Sequence, residues 1–186
     1  MSVPSLPVDG EGFLLRPWRI EDAAALVLHA NDEAVSARLS DRFPFPYSAD
    51  DAMRFLAQSV EPPALNLAIE IDGGAVGGIG LRPGKGELRI GAHFGYWLGR
   101  RYWGRGIMSR IVPVWSAHVF ACFGFERLHT TVFANNPASA RVLEKSGFVR
   151  EGTLRRAAIK GSEVFDLWMY AMIRPEAPVR RHGPLQ

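Results

Sequence analysis

The residues that could do chemistry stand out first in the segment RRYWGRGIM, residues 100–108. Gly104 and Gly106 lie between an apolar run typical of a strand and a run typical of a helix. The first turn of a helix has backbone N–H groups without partners and the positive end of the helix dipole. Glycines let a ligand approach that backbone, and the three arginines around them can pair with phosphate oxygens. The segment therefore predicts a phosphate or pyrophosphate site.

Two common nucleotide-binding motifs do not fit this segment. A P-loop requires Lys followed by Ser or Thr after its last glycine, where this chain has Ile107 and Met108. A dinucleotide-binding fingerprint requires a third glycine at the position of Ser109. Taken alone, the glycines leave two interpretations open: an anion site, or a turn in which glycine only serves the shape of the backbone.

The composition is that of a soluble protein with an ordinary core. The chain has 186 residues, of which 47% are hydrophobic and 22% charged, and its net charge is only +3. No apolar run reaches the roughly 18 residues of a membrane span, and we see no signal peptide, so we expect a cytoplasmic protein without a membrane partner. No nucleic-acid recognition motif accompanies the mild basicity. The single cysteine, Cys122, and the scattered histidines predict no metal site.

The apolar periodicity predicts a mixed α/β fold in one domain, residues 13–174, between flexible segments at 1–12 and 175–186. We expect a mostly antiparallel sheet of six to seven strands flanked by about four helices. Strands are predicted at residues 13–18, 65–71, 75–83, 87–99, 127–134, 148–156 and 163–172. Helices are predicted at 20–32, 48–60, 105–123 and 136–148. Pro62 and Pro63 are expected to end the second helix, and Pro113 is expected to kink the third.

Four segments carry a resemblance to a known family. Arg101-Tyr-Trp-Gly104-Arg-Gly106 has the Arg/Gln-x-x-Gly-x-Gly/Ala form of the acyl-CoA signature of the GNAT superfamily of N-acetyltransferases. From about residue 13 to 173 the chain resembles the RimJ/RimL-like branch of that family. The resemblance implies a GNAT-like sheet that is splayed between its fourth and fifth strands, where the cofactor enters. The segments are LRPW (15–18), FPFPYSADDAMRFL (43–56), GYWLGRRYWGRGIM (95–108) and NNPASARVLEKSGFVREGTLR (135–155).

The resemblance also implies acetyl-CoA as the co-substrate. The backbone from Trp103 to Met108 is expected to hold the pyrophosphate of coenzyme A, and the preceding strand end to pair with its pantetheine arm as an added strand would. Asn136 is expected to hydrogen-bond the arm, and Ser139 to lie near the sulfur as a catalytic residue. The expected cofactor-binding residues are Trp97, Leu98, Gly99, Arg101, Trp103, Gly104, Arg105, Gly106, Ile107, Met108, Asn136 and Ser139.

The proton acceptor is expected at His93, where the family often carries an acid two positions before a Gly-Tyr pair. A histidine with its ordinary pKa near 6.5 suits this role, although a strand histidine without catalytic function is also possible. Glu87 and Glu70 are the reserve candidates, whereas Glu151 and Asp166 favour structural pairing. The extended aromatic loop is expected to form a wall of the acceptor site through Phe43, Phe45 and Tyr47.

Together these features predict an acyltransferase that moves an acetyl group from acetyl-CoA to a primary amine by direct attack. The acceptor is a protein N-terminus or a small molecule, and the family also allows a homodimer. Two alternatives stay open at this point. The same pyrophosphate site would serve a coenzyme A thioester of another acyl group, such as succinyl. The replacement of the usual acid by His93 would fit a non-catalytic acyl-CoA-binding regulatory protein.

Overall fold

The computed structural model describes residues 6–59 and 65–175, which form one eight-stranded sheet with helices on both faces. The sheet order is β1-β2-β3-β4-β5-β6-β8-β7. The strands are β1 (Val8–Gly10), β2 (Phe13–Pro17), β3 (Asn66–Ile71), β4 (Gly74–Pro83), β5 (Gly91–Leu98), β6 (Arg127–Phe133), β7 (Val149–Lys160) and β8 (Glu163–Ile173). The helices are α1 (Ala23–Ala30), α2 (Glu33–Ser36), α3 (Ala49–Ser59), α4 (Ile107–Cys122) and α5 (Pro137–Lys145). None of these described helices is long and apolar enough to cross a membrane.

The sheet is antiparallel except where β5 meets β6. These two strands run parallel and pair only from Gly91 with Arg127 to His93 with His129. Beyond that point β5 continues to Leu98 and β6 to Phe133, but the two strands no longer pair with each other, so a gap opens between them. The predicted splay between the fourth and fifth strands is thereby confirmed, because these are the fourth and fifth of the strands expected from the sequence.

Two apolar clusters cover the two faces of the sheet. The larger one packs α4 and α5 against the face that carries Phe94 and Leu98, with Trp115 at its centre. The smaller one packs α1 and α3 against the opposite face, around Trp18 and Leu56. Side chains alternate along a strand, so β5 serves both clusters.

The structure differs from the sequence-based expectations in the number and the ends of its elements. The described part of the chain has eight strands rather than six or seven, because residues 8–10 pair with β2 inside the segment that we predicted to be flexible. Residues 87–90 form a 3-10 turn, not the start of a long strand. The helix predicted at 20–32 begins as a 3-10 turn and ends at Ala30, and Asp32 instead caps a separate helix α2 through hydrogen bonds from the N–H groups of Ala34 and Val35. Pro62 and Pro63 lie outside the described residues, as do residues 1–5 and 176–186 of the predicted flexible ends.

A buried ion cluster joins β2, β3 and the start of α1. The guanidinium of Arg16, only 3% exposed, donates to both carboxylate oxygens of Asp22 at 2.7 and 2.8 Å and to Glu70. Burial raises the pKa of Asp22, but the hydrogen bonds from Arg16 and from the N–H of Arg19 outweigh it, so the pKa lies below its usual value. The stabilisation from Asp22 is therefore present above its unfolded pKa, about 3.9, and is lost as the pH falls through the lower folded pKa.

Replacing Arg16 should destabilise the fold strongly. Arg16→Met leaves Asp22 and Glu70 without their cation in a site that is mostly buried, which typically costs about 3–5 kcal/mol. Arg127→Met is the matched control, because Arg127 also pairs with a carboxylate, that of Glu151, but at a more exposed position. The control should lose about 0–1 kcal/mol. Urea unfolding measures both, and equal losses in the two variants would contradict a structural role for the buried cluster.

Candidate active site

The glycine segment forms a turn that leads from β5 into α4. Gly104 and Gly106 have φ angles of 71° and 69°, in the left-handed region that disfavours side chains, and Gly106 is the N-cap residue of α4. The indole nitrogen of Trp103 donates a 2.7 Å hydrogen bond to the carbonyl of Leu98. This bond fixes the turn to the end of β5, so the N-terminus of α4, with its free N–H groups, lies near that strand end.

The surroundings of this turn favour an anion. The first turn of α4 has no acidic residue, and a Cβ added at Gly104 would meet no atom within 4 Å. The space in front of the backbone is therefore open to a ligand. The guanidinium of Arg105 lies 5.7 Å from the centre of the Tyr102 ring and is exposed, as is Arg101. A helix N-terminus with two nearby cations suits a pyrophosphate.

The gap between β5 and β6 leaves part of the β5 backbone without a strand partner. The Gly99 N–H donates to Val76 of β4, and groups that face β4 recur at every second residue. Beyond the last pair with β6, the backbone groups of Tyr96 and Leu98 therefore face the gap. The Leu98 carbonyl already accepts a hydrogen bond from the Trp103 indole. The backbone N–H and carbonyl of Tyr96 can pair with an extended, amide-bearing ligand.

Tyr96 and Ser139 meet across this gap. The Tyr96 hydroxyl lies 2.8 Å from Ser139 Oγ, and burial raises the pKa of Tyr96 to about 12, so the phenol keeps its proton at neutral pH. Asn136 caps α5 as predicted, because its Oδ1 accepts from the Ser139 N–H at 3.3 Å. The sequence did not identify Tyr96, because only the packing of α5 against β5 brings its hydroxyl to Ser139, 43 residues further along the chain.

A cavity of about 750 Å³ opens on the opposite face of the sheet, beside β4 and β5. Gly95 forms an open part of its floor, because a Cβ added there would meet nothing within 4 Å, whereas the Asn66 side chain occupies the space over its pairing partner Gly80. Six aromatic residues line the cavity, among them Phe43, whose ring centroid lies 5.2 Å from that of Tyr47 and 5.3 Å from that of Trp97. The aromatic residues in the lining are Trp18, Phe43, Tyr47, Phe55, Trp97 and, at the edge of the gap, Tyr96.

The aromatic loop contributes only part of its predicted set to this cavity. Phe43 and Tyr47 line it, and the Tyr47 N–H is anchored by a 3.0 Å hydrogen bond to Asn31 Oδ1. Phe45 is 48% exposed and belongs to a separate surface depression beside Asp32 and Arg100. The structure therefore does not bring Phe45 together with the other two rings, because the loop turns its side chain to the other side.

His93 lies at the point where β5 and β6 separate, and it lines the same cavity. Its Nδ1 is 3.3 Å from Nη2 of Arg82, and its ring centre is 5.6 Å from that of His129. Burial lowers the pKa of His93 to about 4, with further contributions from the charges of Arg82 and His129. The imidazole is therefore neutral at pH 7, a free base but a weaker one than its ordinary pKa suggested.

The carboxylates considered as alternatives are engaged elsewhere or lie apart from the cavity. Glu70 binds Arg16, and Glu151 forms a bidentate ion pair with Arg127. Asp166 accepts a 2.7 Å hydrogen bond from the N–H of Arg156. Glu87 lies exposed in the 3-10 turn before β5. None of the four lines the cavity, and no group of three or more His, Cys, Asp or Glu within residues 6–59 and 65–175 could hold a metal ion.

Known proteins with similar sequences span nearly the whole chain. The SPbeta prophage-derived uncharacterized N-acetyltransferase YokL of Bacillus subtilis is 28% identical over 177 residues, which cover 94% of this chain and 96% of that protein. The L-amino acid N-acetyltransferase AaaT of Escherichia coli is 26% identical over 152 residues, 80% of each chain. Both names describe acyl transfer to nitrogen.

Solved structures share the fold at lower identity. RimL, a ribosomal L7/L12 alpha-N-protein acetyltransferase solved in complex with coenzyme A, superposes with a TM-score of 0.79 at 20% identity, covering 90% of this chain and 98% of that one. The sequence itself matches the family described as acetyltransferase (GNAT) domain over residues 13–149. The splayed sheet, the glycine turn before α4 and this match together show that the chain belongs to the GNAT family of acetyltransferases.

Proposed function

We propose that the protein transfers an acetyl group from acetyl-CoA to a primary amine that binds in the aromatic cavity. The observation that carries this proposal is the gap between β5 and β6. It has the glycine turn at its wide end, and the strand that borders it also borders the cavity. A cofactor in the gap and an acceptor in the cavity would meet at the same strand, β5.

The residues around the gap fit coenzyme A. The backbone from Trp103 to Met108, in which the Trp103 N–H already donates to the Arg100 carbonyl, would hold the pyrophosphate through the N–H groups that follow Trp103, together with Arg101 and Arg105. The strand end at Trp97, Leu98 and Gly99 would border the pantetheine arm, with the backbone of Tyr96 as its hydrogen-bonding partner. The side-chain NH₂ of Asn136 is available to the arm, because only its oxygen is used as a cap. The open space in front of Gly104 supports this fit.

Acetyl-CoA supplies an activated acyl group whose leaving sulfur needs a hydrogen-bond donor or a proton. Ser139 and Tyr96 are placed for this role, because their hydroxyl groups meet 2.8 Å apart inside the gap and Tyr96 stays protonated at neutral pH. One hydroxyl of such a pair can donate a hydrogen bond to the leaving sulfur while the other holds it in the required orientation.

His93 is proposed as the group that accepts the proton of the attacking amine. It is neutral above about pH 4, so it needs no deprotonation of its own at physiological pH. A base with that pKa would remove a proton from an ammonium ion of pKa 7.8 only at a cost of roughly 5 kcal/mol. The amine therefore has to bind in its neutral form, and His93 takes the proton that the nitrogen releases as it bonds to the acyl carbon.

We propose that the protein acts in the cytoplasm, where Cys122 would stay reduced.

The acetyltransferase activity is tested with a panel of amines. The purified protein is incubated with acetyl-CoA and with peptides or small amines. Release of free thiol and a product heavier by one acetyl group are expected for at least one acceptor class. Coenzyme A binding without turnover on any amine would contradict the proposal and favour a regulatory acyl-CoA-binding protein. Turnover with succinyl-CoA but not acetyl-CoA would correct the acyl group.

The glycine turn predicts a defined loss of cofactor affinity. Gly104→Asp puts a side chain and a negative charge where the pyrophosphate would lie, so the Kd for coenzyme A should rise at least about tenfold, or about 1.4 kcal/mol. Gly161→Asp is the matched control, because Gly161 also has a positive φ, 59°, and open space, but it lies in the β7–β8 turn. Isothermal titration calorimetry distinguishes them, and equal affinities would remove the pyrophosphate from this turn.

The low pKa of His93 predicts an unusual pH profile. Because the imidazole is neutral from about pH 5 upward, kcat/KM should rise with pH through the pKa of the acceptor amine and show no inflection near 6.5. His93→Gln should lower the plateau by about 100-fold or more, the usual contribution of a positioned base, without moving the inflection. An inflection near 6.5 that disappears in His93→Gln would show that His93 titrates during turnover and would overturn this prediction.

A further inference from the structure

The cavity places a cation beside the proposed proton acceptor. Arg82 on β4 and His93 on β5 are register partners, and Arg82 Nη2 lies 3.3 Å from His93 Nδ1. An acceptor nitrogen at the imidazole therefore has a guanidinium within a few ångströms of its own substituents. In a free α-amino acid the nitrogen and the carboxylate carbon are both attached to one carbon and lie about 2.5 Å apart. An amine and a carboxylate so close together can contact two neighbouring side chains, the amine at His93 and the carboxylate at Arg82.

The charges around the cavity do not cancel. Two carboxylates line it, and both are engaged: Asp41 binds Lys160 Nζ at 2.8 Å, and Asp51 accepts from Ser48 and from Arg54. Arg82 is exposed, and across the described residues 6–59 and 65–175 it forms no ion pair with a carboxylate. A guanidinium that faces a cavity without a carboxylate partner can take the carboxylate of a ligand, in bidentate geometry where space allows.

The rest of the cavity suits a large apolar side chain. The open part of the cavity floor at Gly95, here called the trough, has no Cβ beneath it, and the rings of Phe43, Tyr47 and Trp97 belong to the same cavity. A volume of about 750 Å³ falls within the range of small-ligand sites. Aromatic walls contribute affinity through apolar burial and ring contacts, which a small polar side chain could not use.

From these features we infer that the acceptor is a free α-amino acid with a large apolar or aromatic side chain, whose carboxylate binds Arg82. This inference rests on the proposed acetyltransferase function and names the acceptor of the same site. The amine would lie against His93, the carboxylate against Arg82, and the side chain over Gly95 towards the aromatic wall. A peptide N-terminus has an uncharged carbonyl in place of the carboxylate, so Arg82 would lose its ionic partner and discriminate against it.

The inference is tested with acceptors that differ at one group. L-phenylalanine, L-phenylalaninamide, phenethylamine and the dipeptide Phe-Gly are compared on the wild-type enzyme, with each kcat/KM corrected for its fraction of neutral amine. L-phenylalanine should exceed the other three by at least about tenfold, because only it carries a carboxylate on the same carbon as the amine, whereas the carboxylate of Phe-Gly lies one residue further away. Turnover of the amide or the dipeptide equal to that of the amino acid would overturn the inference while leaving the acetyltransferase function in place.

Variants separate recognition from folding and from the effect of Arg82 on His93. Arg82→Gln should raise KM for L-phenylalanine at least about tenfold and reduce its advantage over phenylalaninamide to near unity, whereas Arg82→Lys should keep part of it. A change in the basicity of His93 would alter both acceptors alike and leave their ratio intact. Arg89→Gln, in the exposed 3-10 turn before β5, is the control and should behave as wild type. An unchanged ratio in Arg82→Gln would overturn the inference.

The site proposed for the acceptor's side chain is tested by a substitution at Gly95. Gly95→Val fills the floor of the trough, so turnover of L-phenylalanine should fall at least about tenfold more than that of L-alanine. Gly124→Val is the control, because a Cβ there also meets nothing within 4 Å but lies in the loop after α4. Equal losses for the two amino acids would contradict a side-chain site over Gly95. If no amine of any class is acetylated while coenzyme A binds, the proposed function fails first, and the inference falls with it.

Discussion

The separation of β5 from β6 is the constraint on which the rest of the structure depends. After three residue pairs the strands part, and the backbone groups of Tyr96 face a gap instead of a neighbouring strand. Backbone donors and acceptors buried without partners are costly, so such a gap persists only if something satisfies them. The pairing of His93 with His129 closes the narrow end of the gap, and the Trp103 indole occupies the Leu98 carbonyl at the wide end, which leaves the Tyr96 backbone between them for a ligand strand.

Strand β5 divides the two halves of the proposed reaction between its two faces. Residues Phe94, Tyr96 and Leu98 point towards α4 and α5, where the cofactor would lie. His93 and the residues that alternate with it point towards α1, α3 and the aromatic cavity. In the proposed reaction a single strand would thus hold both ligands at a defined separation, and its glycines on the acceptor side would keep that separation small. The buried Arg16 cluster at the neighbouring β2–β3 pair supports the helices that cover the acceptor side.

Features that depend on local sequence could be predicted, and features that depend on strand register could not. The glycine turn and the Asn136 cap are local, because the backbone conformation of Gly106 and the hydrogen bond to Ser139 need only adjacent residues. The approach of Arg82 to His93 depends on how β4 and β5 are aligned, and the low pKa of His93 depends on burial by distant elements. The side of the loop on which Phe45 lies likewise depends on how the whole loop packs.

The most direct test of this account is amide hydrogen exchange along β5 with and without coenzyme A. If the pantetheine arm occupies the gap, the N–H groups of Tyr96 and Leu98 should exchange more slowly in the complex, together with those of the turn from Trp103 to Met108. The amides of the β7–β8 hairpin should not change. Unchanged exchange at Tyr96 and Leu98 under saturating coenzyme A would contradict the account, because the cofactor would then bind without entering the gap.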